Sequence, residues 1–140
     1  MRLWDKDLID VLPDNQLRGQ WRECCLIAKG LHDGTLNHLL VNKVKDYPLE
    51  HFIAYTFLVL EEMKKRGYKC DGKRFTHWLD EWDDFTIDFS DIFDGWHNER
   101  YLRQCLYNLQ EKYDCSGISD GEWNLIVEKF PWIKDGGVND

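Results

Sequence analysis

The pattern of apolar and polar positions predicts a protein built from α-helices. Between Asp14 and His32, apolar residues recur at helical spacing and form one stripe that is expected to be buried: Leu17, Trp21, Cys24, Cys25, Ala28 and Leu31. Asp14 is predicted to cap this helix, and Asp33-Gly34 to end it. No segment of the sequence alternates apolar and polar residues over the useful length of a strand. The pattern therefore predicts an all-α fold.

Further helices are predicted from apolar runs and their end signals. Leu49 to Met63 is apolar nearly all round, which predicts a central buried helix capped by Asp46 and closed by Gly67. Other helices are predicted at 74–82, at 98–113 and, after a capping box that begins at Ser119, up to residue 129. We expect a single domain over 1–140 with about four to five helices, an extended N-terminal arm at 1–13 and an acidic loop at about 83–95.

Two polar lines run along the first predicted helix. At 100° per residue, one line groups three cations within about 40° of one another: Arg18, Arg22 and Lys29. The second line lies about 100° further round and holds Gly19, Glu23 and Gly30. An interior glycine costs a helix about 1 kcal/mol relative to alanine, so two of them need a reason. Either another helix packs closely here, or the N-terminal arm or a ligand backbone approaches Glu23.

Composition and charge narrow the class of protein. The 140 residues suffice for one domain, and the net charge of −8 comes mostly from residues 71–140, which would repel a polyanion. The five cysteines are odd in number and lack a CxxC pair, which argues against a disulfide framework and against a zinc ribbon. The longest apolar run is too short to cross a bilayer. We expect a reduced, cytoplasmic protein that is not bound to a membrane.

Two sequence features resemble the pyrimidine dimer DNA glycosylase family, which includes phage endonuclease V. The triplet Trp21-Arg22-Glu23 stands at the family's distance from the N-terminus, and the central helix closes on Lys65-Arg66-Gly67-Tyr68 as in the family. The order and spacing of these pieces carry the likeness over about the first 70 residues. The resemblance implies a DNA repair enzyme that acts on duplex DNA carrying ultraviolet photoproducts or abasic sites.

The resemblance also implies a chemistry that needs no metal or cofactor. In the family, the N-terminal α-amine attacks C1′ of the sugar, releases the base and forms a Schiff base, after which β-elimination cuts the strand. Met1 would be the nucleophile, and Glu23 would stabilise the sugar cation and assist proton transfer. An α-amine has an ordinary pKa of about 7.7–8, against about 10.4 for a lysine side chain, so a sizeable fraction of α-amines is nucleophilic at neutral pH.

The same resemblance implies a set of DNA contacts. This sequence also differs from the family in three respects. The contacts are expected at Arg2, Gln16, Arg18, Arg22, Lys29, His38, Asn42 and Lys43. The phage member loses its first methionine, whereas here Arg2 is expected to keep Met1 in place, so that Met1-Arg2 falls on the family's Thr-Arg pair. A family arginine is replaced by Leu26, and the chain is acidic where the phage enzyme is basic. We expect a monomer.

Other interpretations stay open. The acidic half favours a second hypothesis, a helical interaction module without enzymatic activity that binds a basic or protein partner. A different Schiff-base enzyme is a third. The basic trio at 64–66 is either a phosphate contact or a helix end that complements the dipole. His97 and the other histidines apart from His38 are expected at the surface or as caps.

Overall fold

Four long helices and several shorter helical segments make up the described part of the chain. The computed structural model describes residues 1–79 and 86–137, with side chains as far as residue 134. The α-helices are α1 (Asp14–Asp33), α2 (Leu49–Lys65), α3 (Lys73–Thr76), α4 (Glu99–Asp114), α5 (Asp120–Lys129) and α6 (Trp132–Gly137). Short 3-10 helices cover Lys6–Val11, Asn42–Asp46 and Phe89–Asp91. The predicted all-α class is confirmed, and α1, α2, α4 and α5 are the long helices.

The core forms where α1 and α2 pack together. The predicted stripe of α1 is buried except for Leu31, which is half-buried, and the stripe also includes Ile27 and a polar residue, Gln20. α2 buries most of its surface, including Phe52 and Tyr55. α3 adds Phe75, whose ring lies 5.7 Å from that of Phe52. Since apolar burial is the main favourable term in folding, this helix pair is the foundation of the domain.

The N-terminal arm lies inside this core, with Leu3, Leu8 and Leu12 almost fully buried. The Lys6 backbone N–H donates to Nδ1 of His97 at 3.0 Å. Burial lowers the pKa of His97 to about 3, so the neutral ring can accept this hydrogen bond. Of the two positions expected for His97, the surface is wrong; the buried ring accepts the first N–H of the 3-10 segment Lys6–Val11, which is a capping role.

Arg66 makes contacts within the protein that neither interpretation of the basic trio included. Its guanidinium donates to the Glu62 carboxylate at 2.8 Å, to the Asp14 carboxylate at 2.9 Å and to the Leu12 carbonyl at 2.7 Å. This arginine therefore joins the end of α2 to the arm and to the start of α1. Lys64 and Lys65 are exposed in the last turn of α2, where they complement the helix dipole.

Two predicted caps and one helix differ from the structure. Asp14 is the first residue of α1, after Pro13 at the N-cap position, and its carboxylate pairs with Arg66. Pro48 stands at the N-cap position of α2, so the predicted cap Asp46 is also wrong. The helix expected at 74–82 is only the four-residue α3, which places Phe75 in the core; residues 80–82 lie outside the described residues.

The glycines of α1 have a different explanation from those expected. A Cβ at Gly30 would meet Leu36 Cβ at 3.2 Å and its Cα at 3.3 Å, because the chain folds back over the end of α1. At Gly19 a Cβ would meet only Arg22 Nη2, at 3.7 Å, among the described atoms within 4 Å. Close packing of another helix or of the arm therefore explains neither glycine, and the approach of a ligand backbone at Gly19 stays a prediction.

The predicted acidic loop at about 83–95 falls partly outside the described residues. Its remaining part is mostly exposed but is anchored by Phe93, whose backbone N–H donates to Nδ1 of His51 at 2.9 Å, and by Lys6 Nζ, which donates to the Ser90 carbonyl at 2.8 Å. α6 was not predicted from the sequence, and its Ile133 is fully buried. Within 1–79 and 86–137, no helix has the length and apolar character needed to cross a membrane.

Asp5 gives the stability of the fold a pH dependence. Its side chain is 1% exposed, and burial raises its pKa from 3.8 to about 6. A raised carboxyl pKa means that the native state holds the proton more tightly, so the stabilising contribution is complete below about pH 4 and is lost as the pH rises through 6. We therefore expect wild type to lose stability relative to Asp5→Asn as the pH rises. The difference between their free energies of unfolding, wild type minus variant, should fall by up to about 3 kcal/mol between pH 4 and 7.

Urea unfolding of both proteins at intervals of half a pH unit measures this difference. A difference that stays flat, or that rises with pH, would contradict the assignment to Asp5.

Candidate active site

The backbone of the N-terminal arm is fixed by the amide of Gln20, a fully buried side chain of α1. Its Oε1 accepts a hydrogen bond from the Trp4 N–H at 2.7 Å, and its Nε2 donates to the Arg2 carbonyl at 2.9 Å. The same Nε2 donates at 3.4 Å to Oε2 of Glu23, which lies one turn along the helix. One amide therefore contacts both the arm and the predicted catalytic carboxylate.

Two tyrosines hold the same stretch of the arm. The Tyr55 hydroxyl of α2 lies 2.6 Å from the Trp4 carbonyl and 2.9 Å from Gln20 Oε1, and the Tyr101 hydroxyl of α4 donates to the Leu3 carbonyl at 2.6 Å. Burial raises the pKa of both phenols above the ordinary value. Both therefore keep their protons at neutral pH and remain donors. Arm residues 2–4 are thus held by side chains from three helices.

This docking places the α-amine of Met1 beside Glu23. The Met1 nitrogen lies 4.0 Å from Glu23 Oε1, a distance that allows an ion pair but exceeds a direct hydrogen bond. The side chains of the two residues are 23% and 29% exposed. The structure thus brings together the two residues predicted to be catalytic, at a place that solvent can reach.

Arg2 lies next to this pair and is half-buried. Its guanidinium carbon is 5.1 Å from the centre of the Trp4 ring, and its Nη1 lies 3.8 Å from Sγ of Cys105. Burial raises the pKa of the Cys105 thiol, which is therefore neutral at pH 7. A cation over an indole face is stabilised by the ring quadrupole, so the protein itself orients the Arg2 guanidinium.

The α1 surface near Glu23 carries two of the other predicted contacts. Arg22 is exposed, and its guanidinium extends back over the open backbone at Gly19. Gln16 is half-buried, and its Oε1 is enclosed without a hydrogen-bond partner among the described residues. Leu26, at the position of the family arginine, is 51% exposed. This part of the helix therefore presents one cation where the family has two.

Arg18 and Lys29 lie on another flank. Arg18 donates to Asn15 Oδ1 at 2.9 Å, and its guanidinium carbon is 5.6 Å from the centre of the Tyr68 ring. Lys29 Nζ is 5.6 Å from the centre of the Trp78 ring. Both are exposed and contact aromatic rings of the segment after α2, about 120–140° round the helix from Glu23, against about 100° for Arg22. The structure does not group them with the amine.

The remaining predicted contacts lie in the connection between α1 and α2. Asn42 accepts the His38 N–H through Oδ1 at 2.9 Å and donates to Asn37 at 3.2 Å, so its amide closes a turn. His38 accepts the Leu40 N–H through Nδ1 at 3.3 Å. Lys43 is exposed and lines a cavity together with residues of α4. Two of these three side chains therefore shape the connection itself.

Sequence reasoning missed the residues that position the arm. Gln20 falls between Leu17 and Cys24 on the buried face of α1, and a polar residue within a buried stripe is the signal that would have identified it. Tyr55 lies within the apolar run that predicts α2, and its signal is that a buried phenol needs a hydrogen-bond partner. Tyr101 had no such signal, because only the tertiary structure brings α4 to the arm.

The geometry defines a helical protein that presents a terminal amine beside a helix-borne carboxylate. The family model described as pyrimidine dimer DNA glycosylase matches residues 1–76, which include the arm, α1, α2 and α3. The chain belongs to the pyrimidine dimer DNA glycosylase family. Comparison with curated proteins and with solved structures gave no significant match. Membership supports a DNA glycosylase function in DNA repair, with DNA as the substrate.

The role of Gln20 is testable by replacing it with methionine, which has a similar shape but makes no comparable hydrogen bonds. Gln20→Met leaves the Trp4 N–H and the Arg2 carbonyl without their partner, and each unpaired buried group costs about 1–3 kcal/mol. We expect lower stability and, in hydrogen-exchange NMR, early loss of protection at the Trp4 amide.

Gln104→Met, an exposed position on α4, is the matched control and should leave both quantities unchanged. The assigned role would be wrong if the Trp4 amide of the Gln20 variant stayed as protected as the amides of α2.

Proposed function

We propose that this protein is a bifunctional enzyme, a DNA glycosylase with abasic-site lyase activity, that uses the α-amine of Met1 as its nucleophile. The observation that carries this proposal is the 4.0 Å separation of the Met1 nitrogen from the Glu23 carboxylate. The family match covers every residue of this pair and of the Gln20 contact beside it. The proposed substrate is duplex DNA that contains a cyclobutane pyrimidine dimer or an abasic site, and the proposed active form is a monomer.

The chemistry begins with the neutral amine. Its lone pair forms a bond to C1′ of the 5′ nucleotide of the dimer, while the C1′–N bond breaks and its electron pair leaves with the base, which takes up a proton. The amine then loses a proton, and the C1′–O4′ bond opens as O4′ takes up a proton, which gives a protonated imine. Removal of a proton from C2′ allows the C3′–O bond to break, with the 3′ phosphate as leaving group. The strand is thereby cut by β-elimination.

The proposed role of Glu23 is to stabilise charge on the sugar rather than to activate the amine. A fixed carboxylate stabilises the positive charge that develops at C1′, and it can carry protons between the amine and the leaving groups. The 3.4 Å contact with the Gln20 amide supports this role, since it orients the carboxylate before the substrate arrives. Positioning of this kind is worth several kcal/mol when reacting groups are held at near-attack distance.

DNA binding is proposed to centre on the cations nearest this pair. Arg2 and Arg22 are proposed to contact phosphates on either side of the lesion, with Lys43 further along the duplex. Gln16, His38 and Asn42 remain proposed contacts near the same path, and Arg18 and Lys29 remain proposed contacts on the neighbouring flank of α1. Few cations and a net charge of −8 predict weak binding, and few phosphate contacts predict a shallow dependence of affinity on salt.

Borohydride trapping on abasic-site duplex DNA tests the nucleophile. We expect wild type, confirmed by intact mass to begin at Met1, to form a covalent adduct in buffer containing EDTA, because the amine attack uses no metal. A protein carrying a short Gly-Ser extension before Met1 should form none, because its terminal amine no longer lies beside Glu23. The same extension placed after Asp140 is the control and should trap normally. Equal trapping by both extended proteins would refute the assignment.

Glu23→Gln tests the carboxylate. The substitution keeps the shape of the side chain and removes its charge, so we expect strand cleavage to fall by about 100-fold or more with the fold intact. Glu61→Gln, an exposed position on α2, should cleave at the wild-type rate. Cleavage assays on dimer-containing duplexes, with circular dichroism as the folding check, make the comparison. Undiminished cleavage by the Glu23 variant would remove it from the mechanism.

A further inference from the structure

Two consecutive leucines project from the connection between α1 and α2. Leu39 is 88% exposed and Leu40 is 48% exposed, whereas the next residue, Val41, is fully buried. Single exposed apolar residues are common on protein surfaces, but an adjacent pair at the tip of a turn is a small apolar projection. The 3-10 segment Asn42–Asp46 that follows is anchored in the core by Val44.

The turn that carries these leucines is held in one conformation. The Val41 and Asn42 backbone N–H groups both donate to the His38 carbonyl, at 3.0 and 2.9 Å. The His38 backbone N–H donates in return to the Asn42 side chain at 2.9 Å, and the Leu40 N–H donates to the His38 ring at 3.3 Å. Because the backbone is already ordered, inserting the leucines into a partner would cost little further conformational entropy.

The surroundings of the leucines suit a polyanion. Leu39 and Leu40 stand at the rim of a cavity of about 260 Å³ whose other lining residues are Lys43, Gly95, Trp96, Asn98, Arg100, Tyr101 and Gln104. Two of these are cations, and none is a carboxylate. By contrast, a larger cavity of about 610 Å³ has four carboxylates in its lining beside three lysines. In a protein of net charge −8, the rim beside the leucines is thus a place where phosphates can approach.

The cavity also adjoins the N-terminal arm. Tyr101, which lines it, donates to the Leu3 carbonyl, and Cys105, one turn further along α4, lies 3.8 Å from the Arg2 guanidinium. The leucines are thus linked to the start of the arm through Tyr101 and the Leu3 backbone. We expect a duplex bound at the amine to extend towards them.

We propose that Leu39 and Leu40 form an apolar wedge that enters the base stack of duplex DNA next to the lesion, with Lys43 and Arg100 on the flanking phosphates, a role that rests on the proposed function. Apolar side chains inserted between base steps unstack and kink DNA, at a cost of a few kcal/mol per step. A lesion with weakened stacking lowers this cost, so the wedge favours damaged sites. In this proposal the connection between α1 and α2 helps to recognise the damaged site, a function that the Met1–Glu23 pair does not provide.

The double variant Leu39→Ser/Leu40→Ser tests the wedge without disturbing the core, since both side chains are exposed. On an abasic site within a duplex, we expect its kcat/KM to fall by about tenfold or more relative to wild type. On the same abasic site in a single strand, where no stack has to be opened, the two proteins should react equally. Leu125→Ser, at a position of α5 that is 53% exposed, is the matched control and should behave as wild type on both substrates.

Equal rates of wild type and the double variant on the duplex would overturn the wedge. If wild type reacts with neither substrate, the proposed function fails, and 2-aminopurine placed beside the lesion then tests the wedge by itself. Its fluorescence should rise on binding wild type, because unstacking relieves quenching, and should not rise with the double variant. An equal rise with both proteins, or none with wild type, would refute the proposal. The proposal would also be refuted if wild type were a dimer and the double variant a monomer, because the leucines would then be a self-association surface.

Discussion

The site depends on one buried amide. Gln20 occupies a position in the apolar stripe of α1 where a polar side chain is costly unless both ends of its amide are paired. The arm supplies those partners through the Trp4 N–H and the Arg2 carbonyl. The pairing works in both directions, since the arm satisfies the amide and the amide fixes the path of the arm. The pairing therefore helps to place the Met1 nitrogen beside Glu23.

The rest of the fold can be understood as support for the arm. Tyr55 comes from α2, Tyr101 from α4 and His97 from the turn before α4, and each provides a hydrogen bond to arm backbone. Arg66 holds the far end, where the arm turns into α1. The family match ends at residue 76, so Tyr101 and His97 belong to a part of the chain that the match does not cover. The second half of the protein therefore contributes directly to placing the terminus.

Charge decides where a nucleic acid can approach. The chain is acidic overall, and a phosphate backbone would be repelled from most of its surface. Two arginines are the cations closest to the amine in sequence or along α1: Arg2, which is partly packed on Trp4, and Arg22, which is exposed. Leu26 stands where the family has a further arginine. An enzyme with this balance has to obtain discrimination from local contacts at the lesion rather than from general attraction to DNA.

Much of the fold followed from the sequence because helix signals are local. The caps at Asn98 and Ser119, the left-handed Gly34 and the apolar α2 fixed four helices close to their observed bounds. α3 was overestimated because periodicity alone does not show where a helix stops.

The candidate site was less accessible from the sequence. The positions of Met1 and Glu23 came from a resemblance, and their catalytic roles remain predictions. Tyr101 and His97 could not be assigned, because their contacts with the arm span about 90 residues or more of sequence and exist only after folding.

The central claim is that the α-nitrogen of Met1 forms the bond to the sugar. Peptide sequencing by mass spectrometry of the borohydride-reduced protein–DNA adduct tests it most directly, since reduction leaves the sugar remnant on the nitrogen that reacted. The account predicts that the added mass lies on the α-nitrogen of the N-terminal peptide. An adduct on the side chain of Lys6, Lys29 or any other lysine would contradict it.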